Sequence, residues 1–148
     1  MTLPENEYKI GFMQKIEWSD TYLLGITEID NQHKKLLAVA NELYEAASGS
    51  DEEYKLKMAK VLKSLTDYTV YHFSEEEKFM KKYGYPSVSL HKTAHDAFVN
   101  EVQHQISKLG SGSRQDALSF YGFVANWVLT HIAKADRVWA AYVKPLIK

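Results

Sequence analysis

The stretch Tyr71-His72-Phe73-Ser74-Glu75-Glu76, followed at 91–95 by His91-Lys92-Thr93-Ala94-His95, decides how the chain is read. The first segment places a histidine and a carboxylate four residues apart, and the second places two histidines at the same spacing. Residues i and i+4 of a helix share a face, with Cβ atoms about 5–6 Å apart. From that separation two side chains can hold one metal ion or reach across to two. His33, His131 and Asp136 are further candidate ligands. Five histidines and two carboxylates exceed what one ion takes and match two.

Outward from these segments the hydrophobic pattern is helical. A first helix is expected over 26–47, where Ile29, His33, Leu36, Leu37, Ala40, Leu43 and Tyr44 recur at intervals of three and four. Ser48-Gly49-Ser50 ends it, and Asp51 is the expected N-cap of the next. The second helix, 51–82, carries Tyr54, Met58, Val61, Leu62, Leu65, Tyr68, His72, Glu76, Phe79 and Met80 on one stripe. Tyr83-Gly84-Tyr85-Pro86 is a stop signal. The third, 87–109, presents Leu90, His91, His95, Phe98, Val102, Ile106 and Leu109 on its inner side. Gly110-Ser111-Gly112-Ser113 reads as a loop, and Ser113 with Asp116 has the form of a capping box. A fourth helix spans 114–133, and 135–144 has the composition of a short fifth. Residues 1–15 read as an N-terminal arm, and the segment from 16 to 25 as an apolar lead-in lying across the helices. Strand patterns are almost absent. The simplest architecture is all-α, an up-down-up-down four-helix bundle with an N-terminal arm and a short C-terminal helix, residues 16–148 forming one domain.

Composition narrows the function. The chain of 148 residues is 45% hydrophobic and 25% charged, as for an ordinary soluble domain. A net charge of −1 gives no electrostatic case for nucleic acid or an anionic membrane. No apolar run approaches the roughly 18 residues of a membrane span. The start, Met1-Thr2-Leu3-Pro4-Glu5-Asn6-Glu7, lacks the apolar core of a signal peptide, so a cytoplasmic setting is expected. Without cysteine there is no disulfide framework, thiolate site or thiol nucleophile.

Position is the informative fact about the histidines. His33, His72, His91, His95 and His131 all fall on inward stripes, as does Glu76. A single inward histidine is usually a hydrogen-bonded core residue. Five beside a buried carboxylate are different, because a lone buried charge costs several kcal/mol unless it is paired or metal-bound. His104, about half a turn round from His95, is the internal control and should face solvent. His131 and Asp136 are five apart, about 140° on an ideal helix. Either the helix ends near Ala133 and the chain turns Asp136 inward, or Asp136 is an exposed acid; spacing alone leans to the second. Glu75 and Glu77 should point aside, either solvated or supporting a ligand from behind. Asp30 is a cap, or it orients a ligand histidine by accepting its outer ring proton. Val128, one turn before His131, either packs or keeps an open coordination position dry. The aromatic residues read as ordinary core.

Imidazole suits zinc, copper, iron and nickel, and bridging carboxylates suit a pair of hard or borderline ions. A structural zinc would leave three of the groups unexplained. Ferritin-like di-iron bundles use Glu-x-x-His pairs, whereas this chain has His-x-x-x-Glu and His-x-x-x-His. Neutral imidazole donates less charge than carboxylate, so a histidine-rich iron pair should lean toward holding dioxygen and away from activating it.

The order His33, His72-x-x-x-Glu76, His91-x-x-x-His95, His131-x-x-x-x-Asp136 resembles the hemerythrins. The lead-in Trp18…Tyr22…Gly25-Ile26…Ile29-Asp30-Asn31-Gln32-His33-Lys34, and Gly84-Tyr85-Pro86 ahead of His91, are similar to the bacterial branch of that family, the bacteriohemerythrins. The likeness runs from about residue 16 to the end. It implies a four-helix bundle around two non-haem iron ions with an oxo or hydroxo bridge. His91, His95 and His131 would hold one iron, His33 and His72 the other, and Glu76 and Asp136 would bridge them. On this likeness Asp136 is a ligand after all. Dioxygen would bind reversibly at the iron with two histidines.

Three function classes follow. The leading one is a dioxygen-binding protein for storage, transport or delivery, not an enzyme, with dioxygen as its partner and any protein recipient unidentified. The second is a module sensing oxygen, redox state or nitric oxide. The third is a di-iron peroxidase or oxidase, for which Tyr68 or Tyr71 would have to approach as proton donor.

Overall fold

The computed structural model describes residues 14–109 and 113–147. The arm expected over 1–15 thus lies, up to residue 13, outside the described residues, as does the Gly110-Ser111-Gly112 part of the expected loop. Four long helices form the body: α1 (Thr27–Ser48), α2 (Asp51–Lys82), α3 (Val88–Leu109) and α4 (Arg114–His131). A π turn, Ile132–Asp136, joins α4 directly to the short α5 (Arg137–Val143). Helix α1 packs on α2 and α4, and α3 packs on α2 and α4, which closes an up-down-up-down ring. No strand occurs among the described residues, and none of their helices is long and apolar enough to cross a membrane.

The helix ends are set locally. Ser50 caps α2 by accepting from Glu53 N at 3.2 Å, so the N-cap is Ser50 and not the expected Asp51. Asp51, Glu52 and Glu53 follow in the first turn, where the helix dipole favours negative charge. At the other end Tyr85 N donates to Met80 O and Gly84 N to Lys81 O, the paired bonds of a Schellman motif. That motif needs a left-handed residue, and Gly84 supplies it with φ of 69°. Ser113 and Asp116 form the expected reciprocal capping box on α4.

The lead-in runs along α1, with one short 3-10 turn at Asp20–Tyr22. Ile16 exchanges two 2.8 Å hydrogen bonds with the side chain of Asn41. Leu24 N and Gly25 N donate to the Asp30 carboxylate at 2.8 and 3.1 Å. Asp30 fills neither expected role: the N-cap of α1 is Ile26, without a side-chain cap bond, and the Asp30 carboxylate instead ties the lead-in to the first turns of α1.

Antiparallel order decides where the chemistry sits. His33 lies near the start of α1, His72 and Glu76 in the second half of α2, His91 and His95 at the start of α3, and His131 at the end of α4. All are therefore brought to one half of the bundle. The other half is apolar, with Leu36, Leu43, Leu65, Phe120 and Tyr121 almost wholly buried. One expected inner residue is misplaced: Leu90 is 73% exposed, since it lies about 100° round from His91, off the stripe that His91, His95, Phe98 and Val102 form.

Candidate metal centre

Each of the seven predicted ligands is buried, and the structure brings all seven together. Their donor atoms fall into two overlapping groups, one of His91, His95, His131, Glu76 and Asp136, the other of His33, His72 and Glu76. The carboxylates divide their oxygens between these groups. Glu76 Oε2 lies 3.2 Å from His33 Nε2 and 3.4 Å from His72 Nε2. Glu76 Oε1 lies 3.2 Å from His95 Nε2. Asp136 Oδ2 lies 3.2 Å from His33 Nε2, and Asp136 Oδ1 lies 3.0 and 3.2 Å from His91 Nε2 and His131 Nε2. Each carboxylate thus turns one oxygen to each side.

Of the two alternatives that spacing left open, the structure has the first: the α-helix ends at His131, close to the expected Ala133, and the chain turns Asp136 inward, so Asp136 is not the exposed acid to which spacing leaned. The backbone widens into a π turn over Ile132–Asp136, which absorbs one extra residue and brings Asp136 under His131. Trp139, fully buried, donates from its indole N–H to Asp136 Oδ1 at 3.1 Å.

The outer ring nitrogens are oriented from neighbouring elements. His72 Nδ1 donates to Gln32 Oε1 at 2.8 Å, and His95 Nδ1 donates to Glu77 Oε2 at 2.9 Å. With Nδ1 protonated, each neutral ring turns an Nε2 lone pair inward. Phe73 stacks on His95 with centroids 3.7 Å apart and planes 1° from parallel, and Trp127 stacks on His131 at 4.4 Å. Several of the aromatics expected as plain core therefore fix the rings. His104 is exposed, as the control required. Tyr68 donates to the backbone carbonyl of Gln32, and Tyr71 is half exposed with its hydroxyl toward Glu75.

The charges are strongly coupled. Burial works against a charge on His33, but the Asp136 and Glu76 carboxylates outweigh it and raise its pKa to about 10. The same opposition takes His91 to about 9. Burial pushes the Glu76 and Asp136 carboxyls up, yet the surrounding histidines hold both below the usual carboxylate range.

The donor set fits metal ions better than it fits protons. His131 Nε2 lies 3.1 Å from both His95 Nε2 and His91 Nε2. His95 gives its outer N–H to Glu77 and so turns a lone pair inward, where a cation is a partner that all three converging nitrogens can share. Two nitrogens bound at right angles to one ion at about 2.1 Å would themselves sit about 3.0 Å apart. Glu76 Oε1, fully buried, has no properly aligned hydrogen-bond donor among the described residues. A cation on each side would satisfy these atoms together.

Comparison with known proteins agrees with this geometry. The family model for the hemerythrin HHE cation binding domain matches residues 24–143. A bacteriohemerythrin of Clostridium acetobutylicum is 34% identical over 122 residues, covering 81% of this chain and 95% of that protein. One from Pseudomonas aeruginosa is 33% identical over 132 residues, covering 88% of this chain and 81% of that protein. The crystal structure of a wild-type hemerythrin superposes with a TM-score of 0.73 at 27% identity, covering 85% of this chain and 95% of the other. On sequence, fold and the order of its clustered residues, the chain belongs to the hemerythrin family.

Proposed function

We propose that the centre holds two non-haem iron ions and binds dioxygen reversibly, for storage, transport or delivery. His91, His95 and His131 hold one ion, His33 and His72 the other, and Glu76 and Asp136 span both. The observation that carries this reading is the division of each carboxylate, one oxygen toward each histidine group. Two adjacent ferrous ions, with an oxo or hydroxo bridge, supply the pair of electrons on which reversible capture of dioxygen draws.

The side chains do the rest. Three rings on one side and two on the other make the sides unequal, so an exchangeable position belongs on the His33 and His72 side. Val128, buried one turn before His131, keeps that position small and dry. Trp139 holds Asp136 in its bridging pose. Tyr68 and Tyr71 are committed to Gln32 and Glu75, so neither is aimed inward as the proton donor that a peroxidase or oxidase reading requires.

The test is optical. Iron-loaded protein, reduced without air, should be nearly colourless, redden on exposure to air, and bleach again when oxygen is removed. Protein with two irons that never colours, or colours once and irreversibly, contradicts the proposal.

A further inference from the structure

His72 and His95 are held alike in geometry but not in charge. Gln32 offers His72 Nδ1 a neutral amide oxygen at 2.8 Å, whereas Glu77 offers His95 Nδ1 a carboxylate oxygen at 2.9 Å. The two contacts belong to opposite sides of the centre, since His72 lies in the two-histidine group and His95 in the three-histidine group. Among the described residues Glu77 makes no other hydrogen bond, and its side chain is only 14% exposed. With Phe73, it borders a recess of about 490 Å³ on the α2/α3 face, beside the Lys92–Asp96 ion pair.

From this asymmetry we infer that Glu77 is a positioning residue that makes the two metal positions electronically unequal, strengthening His95 as a ligand where Gln32 leaves His72 ordinary. At like length, a hydrogen bond to a carboxylate is about twice as strong as one to a neutral acceptor. A carboxylate behind a ligand histidine raises the basicity of the inner nitrogen. A more basic nitrogen favours the more highly charged ion, so the three-histidine position holds the oxidised state more firmly. The inference rests on the two-iron reading above.

Three variants of the full chain, loaded with iron, separate contact from general charge. E77Q keeps a hydrogen-bond acceptor of the same shape and removes the charge. E75Q removes the same charge two residues away, where Glu75 meets Lys78 and Tyr71. Q32E adds a charge behind His72. Iron affinity is read by chelator competition and midpoint potential by spectroelectrochemical titration.

E77Q should bind one of its two irons about 10–100-fold more weakly. Its potential should rise, by about 59 mV for each tenfold loss of ferric over ferrous binding in a one-electron couple. Q32E should lower the potential, and E75Q should match the parent protein. E77Q with two irons and parental affinity and potential overturns the inference, as does E75Q moving as far as E77Q. Should E77Q fail to fold, E77D withdraws the carboxylate from His95 and must still weaken iron binding more than E75Q does; equality overturns the inference. Failure of the two-iron reading would show separately, as a parent protein that takes fewer than two irons.

Discussion

His131 and Asp136 meet at 3.2 Å, Nε2 to Oδ1, although five residues separate them. The π turn between them makes this possible, and it can be tested by changing its length. Lys134 is exposed within the turn. Deleting it leaves the two ligands four apart in sequence, a spacing that an ordinary α-helix also places on one face. The deletion variant should still bind two metal ions. Inserting one alanine after Lys134 moves Asp136 about 240° round from His131 and should weaken metal binding by about tenfold or more. Metal stoichiometry of the two variants checks this.

The carboxylates and the histidines should fail differently. Because Asp136 faces both groups, Asp136→Ala should reduce occupancy at both positions. His33→Ala should empty chiefly the two-histidine position and leave one ion bound. Iron per chain after dialysis distinguishes them, and equal losses in the two variants would contradict a bridging role.

Trp139 gives Asp136 a hydrogen bond that no other ring could replace in place. Trp139→Phe keeps most of the apolar contact and deletes the donor, leaving a buried carboxylate oxygen with fewer partners. Hydrogen bonds to charged groups contribute about 1.5–3 kcal/mol. The metal-free variant should lose stability of about that size, measured by urea unfolding, and an unchanged midpoint would show the bond to be incidental.

The metal-free chain should respond to pH in a defined sense. His33 and His91 have pKa values raised to about 10 and about 9, since the carboxylates prevail over burial. A raised histidine stabilises fully below its unfolded value of about 6.5 and loses that contribution as pH climbs through its folded value. Glu76 and Asp136, lowered by the histidines, act oppositely: they stabilise above about pH 4 and lose this only in acid. Unfolding midpoints should therefore be higher near pH 6 than near pH 9. Metal-loaded protein should lack this decline, since bound metal takes the place of those protons.

Much of the centre is legible because an inward stripe is a property of spacing. His33, His72, Glu76, His91, His95 and His131 sit where helical periodicity puts them. Asp136 is not legible by that rule, since a π turn has no period of its own in the hydrophobic pattern. Leu90 misleads because its apolar character outweighs its angle: periodicity itself puts it about 100° round from His91. Gln32 escapes because it adjoins a ligand and points sideways along its own helix, whereas for Glu77 spacing left open solvent or a supporting contact, and the structure has the contact. A signal existed for these two: a ligand histidine is steadied by an acceptor for its outer N–H, and for His72 and His95 the preceding helix supplies it. Ser50 in place of Asp51 as N-cap is a shift of one residue that the three following acids obscure.

The most direct test of the central claim is X-ray absorption at the iron edge on protein loaded to saturation, with iron counted per chain. Two irons per chain and a clear iron–iron scattering shell are the predicted result. One iron per chain, or two with no such shell, would contradict a centre in which Glu76 and Asp136 each serve both ions.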